Sequence, residues 1–579
     1  DISIAVLYRD EACEPRYTQA TVERYIRSTR FQAKIYYVAR EEKTFFPEIK
    51  HSDWQELSLD DLYKLIYSSY SLLISYDFIE RVVNYMYEKI NEISGILTGS
   101  DRLTKIIPQL ERTISLPQSK TKLEHELRVV KISVLALLNA LICHDILASY
   151  LKKPNLRKVK EYPDQRDQII KIWDEILQED YQPIFKVSLE ILKLLPNDGN
   201  TKEGIDKLLN SAIHLSHSWS ILRHDLMGRI YHFLLMRDIA KYYATYYTSI
   251  TSATLLSYLV VSLINEAWKS YRWFDLSDLS KFRAVDFACG SGTLLVSLYK
   301  SLRYKYLTES FKKNVESSLK DFHQVAIEKM IRGYDVLEYA VHLSATALTL
   351  LNPQCQYRDH HLITLPLGKL NGVFKLGSIN LLMDLINLAY RKDEIEKFDV
   401  VIMNPPFTRS TGTVNLLFGD LPPEDRAPMQ AELRRMLNTI DLTGIGQGGL
   451  GAIFAGMSLD VLKEGGRIGL VLPRSFLSGV SWEGVRKKMI EKCVIEVIVT
   501  SFEAPNQWNF SENTDLSEVL VVARRKLNGE SMENKKCLVV NFWKKPQNDW
   551  EATSIALKLV ELFDTVTVSN GHNVLELGP

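Results

Sequence analysis

From about residue 280 onward the chain alternates two textures. Short apolar runs, rich in β-branched residues, recur: AVDFA (284–288), FDVVIM (398–403), RIGLVL (467–472), VIEVIV (494–499) and SEVLVVA (517–523). Between them lie stretches with helical spacing, such as GAIFAGMSLDVLK (451–463) and SWEGVRKKMIEKC (481–493). A strand that is apolar along its whole length must be covered on both faces, and intervening helices supply that cover. The pattern predicts an α/β fold built on a mixed, mostly parallel sheet. Ligands of such sheets bind beyond the carboxyl ends of the strands, so functional residues are sought just after the runs.

The remainder reads differently. Residues 1–50 suggest strand, helix, strand: ISIAVLY, QATVERYIRS and AKIYYVA. From about 56 to 238 apolar residues recur at three and four spacing, as in LYKLIYSSYSLLISYDFIERVVNYMYEKI, which predicts a large α-helical domain. The expected organisation is a small α/β remnant over 1–55, a helical domain over 56–238, a Rossmann-like catalytic domain over 239–530 and an extension over 531–579. At 579 residues, about three to four domains are expected. The chain opens at Asp1 rather than Met, so it is read as a fragment or processed form.

Composition narrows the function classes. The chain is 46% hydrophobic and 25% charged, with zero net charge. It is therefore no polycation, and a nucleic-acid surface would have to be a local patch. Its six cysteines form no CxxC pair, so neither a zinc ribbon nor a disulfide framework is expected, and a reducing cytoplasm fits. The apolar stretch 133–151 is interrupted by Asn139, His144 and Asp145, which favours a buried helix over a membrane span.

Three motifs lie at strand ends. In VDFACGSGTLL (285–295) a strand runs into a glycine turn and a helix. Gly290 and Gly292 let backbone approach a ligand where a Cβ would collide, and Asp286 can accept a donor from it. The third glycine of a dinucleotide loop is missing. The pattern acid-x-Ala288-x-Gly-Ser-Gly resembles instead the S-adenosylmethionine loop of class I methyltransferases. In IRGYDVLEYAVHLSATAL (331–348), Asp335 stands at a second strand end, where a carboxylate can accept both ribose hydroxyls of a nucleoside. A helix N-terminal acid, favoured by the helix dipole, explains it equally. A second glycine-rich stretch, GQGGLG (446–451), fits a dinucleotide pattern but follows no strand, and is expected to be a mobile loop.

The most informative motif is Asn404-Pro405-Pro406-Phe407, which stops the run FDVVIM. Prolines cannot continue a central strand. The exocyclic N6 of adenine is a poor nucleophile because its lone pair is delocalised into the ring. An Asn side-chain oxygen and a backbone carbonyl can both accept from that amino group and localise the lone pair. The two prolines fix the backbone so that the Pro405 carbonyl faces the amino group. Phe407 can stack on a base flipped from the duplex.

Together these motifs make the chain similar to the N6-adenine DNA methyltransferases of the gamma arrangement, as in type I modification subunits and type IIG restriction–modification enzymes. The likeness covers roughly 215–560. It implies a class I methyltransferase core, S-adenosylmethionine as cofactor and double-stranded DNA as substrate. Tyr246-Tyr247-Thr248-Ser249 resembles the family's Tyr-Tyr-Thr-Pro element over the methionine part of the cofactor, with Ser249 in place of Pro. Tyr247 and Thr248 are thus implied cofactor residues, and Ser378 in LGSINLL stands where the cofactor's adenine is lined. Phe510, with Trp508 as runner-up, is implied as a second stacking aromatic. The chemistry needs no metal, so Cys355, His360 and His361 are read as structural, and the basic run VRKKM (485–489) as a solvated helix face.

Alternatives stay open from sequence. The same tetrapeptide serves enzymes acting on protein glutamine or RNA. The chain can also be the methylase half of a type IIG restriction endonuclease–methyltransferase, with Glu48-Ile49-Lys50 as a slender nuclease hint, or a non-catalytic DNA-binding subunit of a defence complex. Only about 54 residues follow Arg525, too few for a separate base-reading domain. Specificity is therefore expected from a further C-terminal segment or a partner subunit. Titration against duplexes of varied sequence at fixed salt should find little discrimination. A preference above about 4 kcal/mol for one short site would place recognition within these residues.

Overall fold

The computed structural model describes residues 2–7, 29–38, 49–51, 53–73, 76–114, 122–179, 181–216, 247–356, 360–390, 397–408, 423–439, 448–501, 509–512, 517–531 and 535–565. Two units are distinguished, Asp1–Met86 and Tyr87–Pro579.

In the first unit, β1 (Ile2–Leu7) pairs antiparallel with β2 (Phe31–Val38), Ile4 facing Ile35. β3 (Ile49–His51) and β4 (Gln55–Leu57) also pair with β2, and α1 (Leu59–Leu73) follows. The helix expected over 19–28 and Glu48 lie outside the described residues.

The second unit begins with helices. α2 (Leu103–Ile114), α3 (Lys122–Leu147), α4 (Gln165–Glu179), α5 (Gln182–Leu194) and α6 (Gly199–Ser216) pack on one another through apolar faces. α3 is the one described helix long and apolar enough to cross a membrane, yet 83% of its apolar window is buried among its neighbours. The boundary expected at 238/239 falls within 217–246, outside the described residues.

The main sheet is built from the apolar runs. Its strands are β6 (Ala284–Asp286), β7 (Ile331–Asp335), β8 (His361–Thr364), β9 (Phe398–Met403), β10 (Leu462–Pro473), β11 (Cys493–Ser501), β13 (Glu518–Arg525) and β14 (Leu538–Phe542). The short strands β5 (Tyr247–Thr248) and β12 (Ser511–Glu512) lie outside it and pair with each other. The spatial order is β14-β11-β13-β10-β9-β6-β7-β8. Only β13 runs against its neighbours, antiparallel to β10 and β11; all other pairs are parallel. The sheet is thus mixed and mostly parallel, in the Rossmann-like order expected.

Every residue of β9 is buried, as a central strand covered on both faces requires. Helices α7 (Ile250–Ser262), α8 (Thr293–Lys313), α9 (Glu338–Thr349), α10 (Ser378–Tyr390), α11 (Gly449–Ser458) and α12 (Asp549–Thr565) accompany the strands. The helical region is pinned to this core by hydrogen bonds. On α3, Asn139 Nδ2 lies 2.9 Å from His342 Nε2 and donates to Thr346 Oγ1 at 2.9 Å, both on α9. The chain proceeds β6, β7, β8 to one side, then β9 returns on the other side of β6. That reversal opens a crevice at the carboxyl ends of β6, β7 and β9.

Beneath the crevice lie charges inside apolar strands. Arg467 of β10 is fully buried; its Nε donates to Glu496 of β11 at 2.7 Å. Its guanidinium also donates to the carbonyls of Val260, Leu263 and Ile264, at 3.1, 2.7 and 2.8 Å. These are the carbonyls that the end of α7 leaves without helical partners. Arg524 of β13 contacts Glu496 at 3.3 Å.

Candidate active site

Three strand ends meet at the crevice. At β6, the Asp286 carboxylate accepts from Ala288 N–H at 2.9 Å through Oδ1. Its Oδ2 is buried with no partner among the described residues. Burial, and further the nearby Asp335 carboxyl, push Asp286 well above the usual carboxylate range, against the Ala288 bond. The loop that follows turns on Gly290 (φ +52°) and Gly292 (φ +87°). Ser344 of α9 donates to the Gly290 carbonyl at 2.6 Å, and nothing lies within 4 Å of where a Gly290 Cβ would stand.

At β7, Asp335 is half-buried and already engaged. Oδ2 accepts from Gly290 N–H at 2.9 Å, and Oδ1 from Val336 and Leu337 N–H at 2.8 and 3.0 Å. Burial raises its pKa despite these bonds. Asp335 thus ties the glycine loop to the start of α9, and of roughly four acceptor positions on a carboxylate only about one is left over. Glu338, one turn on, is half-buried. Ser378, buried at the start of α10, follows Gly377, which sits tightly over Val336. A cradle with an orphaned acid, an open glycine and two further carboxylates suits a nucleoside ligand bearing hydroxyl donors.

At β9, Asn404 is half-buried, and its amide nitrogen donates to Thr248 Oγ1 at 2.9 Å and Ser511 Oγ at 3.0 Å. These partners lie 156 and 107 residues away in sequence. They are brought together by the ladder of β5 and β12, in which Thr248 faces Ser511 and Tyr247 faces Glu512. Ser249 N–H donates to Phe510 O at 2.9 Å and extends that ladder. With both amide protons so engaged, the planar amide turns Oδ1 away from the two hydroxyls. Pro405 is buried, and the Pro406 carbonyl accepts from Thr408 N–H at 3.1 Å. Phe407 is 7% exposed and Phe510 wholly enclosed, so stacking a base on either requires the covering groups to move aside.

Two features escaped the sequence reading. The first is Glu518, the opening residue of β13. Both its oxygens are held by one residue: Ser511 N–H at 2.6 Å and Ser511 Oγ–H at 2.7 Å. Burial pushes its carboxyl up to about 7, against those hydrogen bonds and one from Phe510 N–H. The second is the glycine run expected to be a loop. Gly449 opens α11, and Leu450 N–H donates to Thr408 Oγ1 at 2.9 Å. A Cβ on Gly449 would lie 1.9 Å from the Thr408 carbonyl oxygen. Gly449 is there for close approach to Thr408, and Gly451 packs against Phe407 and the Pro406 carbonyl. Tyr246 and Trp508 lie outside the described residues.

The basic run at 485–489 is engaged within the protein. Lys487 bridges Glu483 at 2.6 Å, Lys488 bridges Asp460 at 2.5 Å, and Arg486 donates to the Phe476 and Gly479 carbonyls at 2.8 Å. His361 Nε2 lies 3.0 Å from the Glu328 carbonyl, and the Cys355 thiol donates to Lys320 O at 3.6 Å.

Residues 329–506 match the family model described as Eco57I restriction-modification methylase. Over this segment the chain is similar to restriction-modification methylases. The segment contains Asp335 and the Asn-Pro-Pro-Phe corner; the glycine loop, Thr248, Ser511 and Glu518 lie outside the matched residues. Among solved structures, the DrdV–DNA complex superposes with a TM-score of 0.52 at 11% identity, over 93% of this chain and 48% of that one. The chain thus spans about half the length of the DrdV chain it matches. The type IIL restriction-modification enzyme MmeI bound to DNA gives 0.45 at 13% identity, over 78% and 59% of the two chains. The type IIG restriction endonuclease BpuSI gives 0.42 at 16%, over 75% and 41%. A search of curated protein sequences finds no match. With the strand order, the family match makes the core the class I methyltransferase fold, preceded by a helical region.

Proposed function

We propose that this methylase transfers a methyl group from S-adenosylmethionine to N6 of an adenine flipped out of double-stranded DNA, in the cytoplasm and within a restriction–modification or defence system. The observation that carries the reading is the orientation of Asn404. Its amide nitrogen is committed to Thr248 and Ser511. Its oxygen is thereby turned away from those two hydroxyls, at the carboxyl end of β9. An acceptor held there suits an amino group that must be activated without being deprotonated.

S-adenosylmethionine supplies an electrophilic methyl group on a sulfonium. In this reading Asp286 accepts from the cofactor through its orphaned oxygen, Gly290 leaves room for its backbone-close approach, and Gly292 turns the loop beneath it by packing against Ser344. Ala288, Ser378, Tyr247 and Thr248 line it, and Asp335, with Glu338 beside it, takes the ribose. Asn404 Oδ1 and the Pro405 carbonyl hold the adenine amino group, Pro406 stiffens the corner, and Phe407 and Phe510 enclose the base. Target choice comes from a partner specificity subunit or a further domain. The test is tritiated methyl transfer to DNA followed by nucleoside analysis. Label in N6-methyladenine is expected; label confined to cytosine or to protein refutes the reading.

Asp335→Ala should weaken S-adenosylmethionine binding by about 1–3 kcal/mol, the size of hydrogen bonds to a charged group. Because Asp335 also holds Gly290, thermal stability should fall with it, whereas Glu338→Ala should touch affinity alone. Calorimetry that finds Asp335→Ala binding normally would move the ribose acid to Glu338.

A further inference from the structure

An Asn side chain is nearly symmetric in shape, and a methylase built on one must decide which end faces the substrate. An amide turned by half a revolution would point two N–H donors at an amino group that is itself a donor, and the activation would become repulsion. Neither neighbour settles this alone. Thr248 and Ser511 carry hydroxyls, and a hydroxyl rotates to donate or accept as its surroundings ask.

We propose that Glu518 is a positioning residue for methyl transfer: through Ser511 it fixes the Asn404 amide with its oxygen towards the adenine amino group. The inference rests on the function proposed above. An ionised carboxylate only accepts. One oxygen of Glu518 takes the Ser511 N–H at 2.6 Å and the other takes the Ser511 hydroxyl proton at 2.7 Å. That hydroxyl proton is then spent, so towards Asn404 the Ser511 oxygen can offer only lone pairs. The amide must answer with its nitrogen, found 3.0 Å away. Thr248, held opposite Ser511 by the ladder, receives the second amide proton at 2.9 Å. While ionised, the carboxylate is therefore the one member of the chain whose role cannot reverse, and it then polarises every bond in the direction that makes Asn404 Oδ1 the better acceptor.

Placement supports the same reading. Glu518 begins the only reversed strand, paired with Pro473 at the end of β10, which brings it up beside the carboxyl end of β9. It is 4% exposed, and a carboxyl in such a place is costly to ionise. A purely structural cap for Ser511 N–H needs no charge, and glutamine would serve.

Glu518→Gln separates the two roles in the full-length chain. The glutamine oxygen still accepts from Ser511 N–H, but its amide donates to the Ser511 oxygen and releases the hydroxyl proton to Asn404. We expect kcat for tritiated methyl transfer to fall about 10- to 100-fold, the size seen when a partner behind a functional group is lost. The KM and calorimetric affinity for S-adenosylmethionine should not change. Glu518→Gln added to Ser511→Ala should cost nothing beyond Ser511→Ala itself, because both break one chain. Independent, multiplicative losses overturn the proposal. So does a kcat within about twofold of the parent in a protein that Asn404→Ala inactivates. If Glu518→Gln fails to fold, a normal kcat for Ser511→Ala overturns it equally. A parent chain that puts no label into adenine refutes the function itself, and this inference with it.

Discussion

Asn404→Ala should abolish methyl transfer by several orders of magnitude while the protein still binds S-adenosylmethionine. The asymmetry follows from where the side chain sits. Asn404 caps β9, whereas the glycine loop and the acids belong to β6 and β7, and its amide nitrogen donates to Thr248 and Ser511. Its oxygen contributes when the amino nitrogen turns tetrahedral and begins to carry positive charge, so its loss falls on the transition state and not on the ground state. One well-placed polar group of this kind is worth about 10²–10³ in kcat. Methylation needs the amino group held by two acceptors at once, so the loss is expected to exceed that range. Asn404→Asp should be no better, since an aspartate cannot donate to Thr248 or Ser511. Tritiated-methyl turnover close to the parent value would remove Asn404 from the chemistry.

The second large effect concerns stability. Arg467→Ala should destabilise the second unit by about 3–5 kcal/mol, the usual result of removing one member of a buried pair. The deletion strands Glu496 with Arg524 alone, and leaves the carbonyls of Val260, Leu263 and Ile264 without their donor. It also empties space beside Trp268, whose ring centre is 5.0 Å from the guanidinium carbon. Tryptophan fluorescence in urea should therefore report a lower midpoint. A loss of unfolding free energy below about 1 kcal/mol would mean that water replaces the guanidinium. Arg467→Lys should recover little, because an ammonium cannot span a carboxylate and three carbonyls together.

The sheet was legible because a strand covered on both faces cannot hide its composition. AVDFA, FDVVIM, RIGLVL, VIEVIV and SEVLVVA each supply a strand of the observed sheet, though the first strand stops at Asp286, and Asp286, Asp335 and Asn404 all stand at carboxyl ends. Helix limits were less legible. The stretch taken as helical to 463 ends its helix at Ser458, and β10 has begun by Leu462. The charges within the runs were a readable signal passed over: the Arg of RIGLVL and the Glu of VIEVIV are each affordable in a buried strand only as a pair. Glu518 in SEVLVVA carried the same signal. Its partner, however, is a serine seven residues back, and its effect is felt at an asparagine 107 residues from that serine. Nothing local marks such a connection; it exists only once β5 has met β12. The glycines at 448–451 misled for a related reason, since a run without side chains reads as a loop until the backbone it must approach is known.

The ladder between β5 and β12 bears on how the enzyme comes into being. A ribosome makes Thr248 early and Ser511 late, and chains fold as they emerge. By the time β9 has been synthesised, β6, β7 and the glycine loop can already assemble around their hydrogen bonds. Asn404 still lacks one of its two hydroxyl partners, and its amide can turn freely. Only after β12 and β13 have left the exit tunnel does Ser511 reach it with Glu518 behind. A nascent or prematurely terminated chain thus holds the cradle without the aimed amide. If the function proposed above holds, such a chain would hold cofactor before it could modify DNA, and the corner at Asn404 would be completed only at the end of translation.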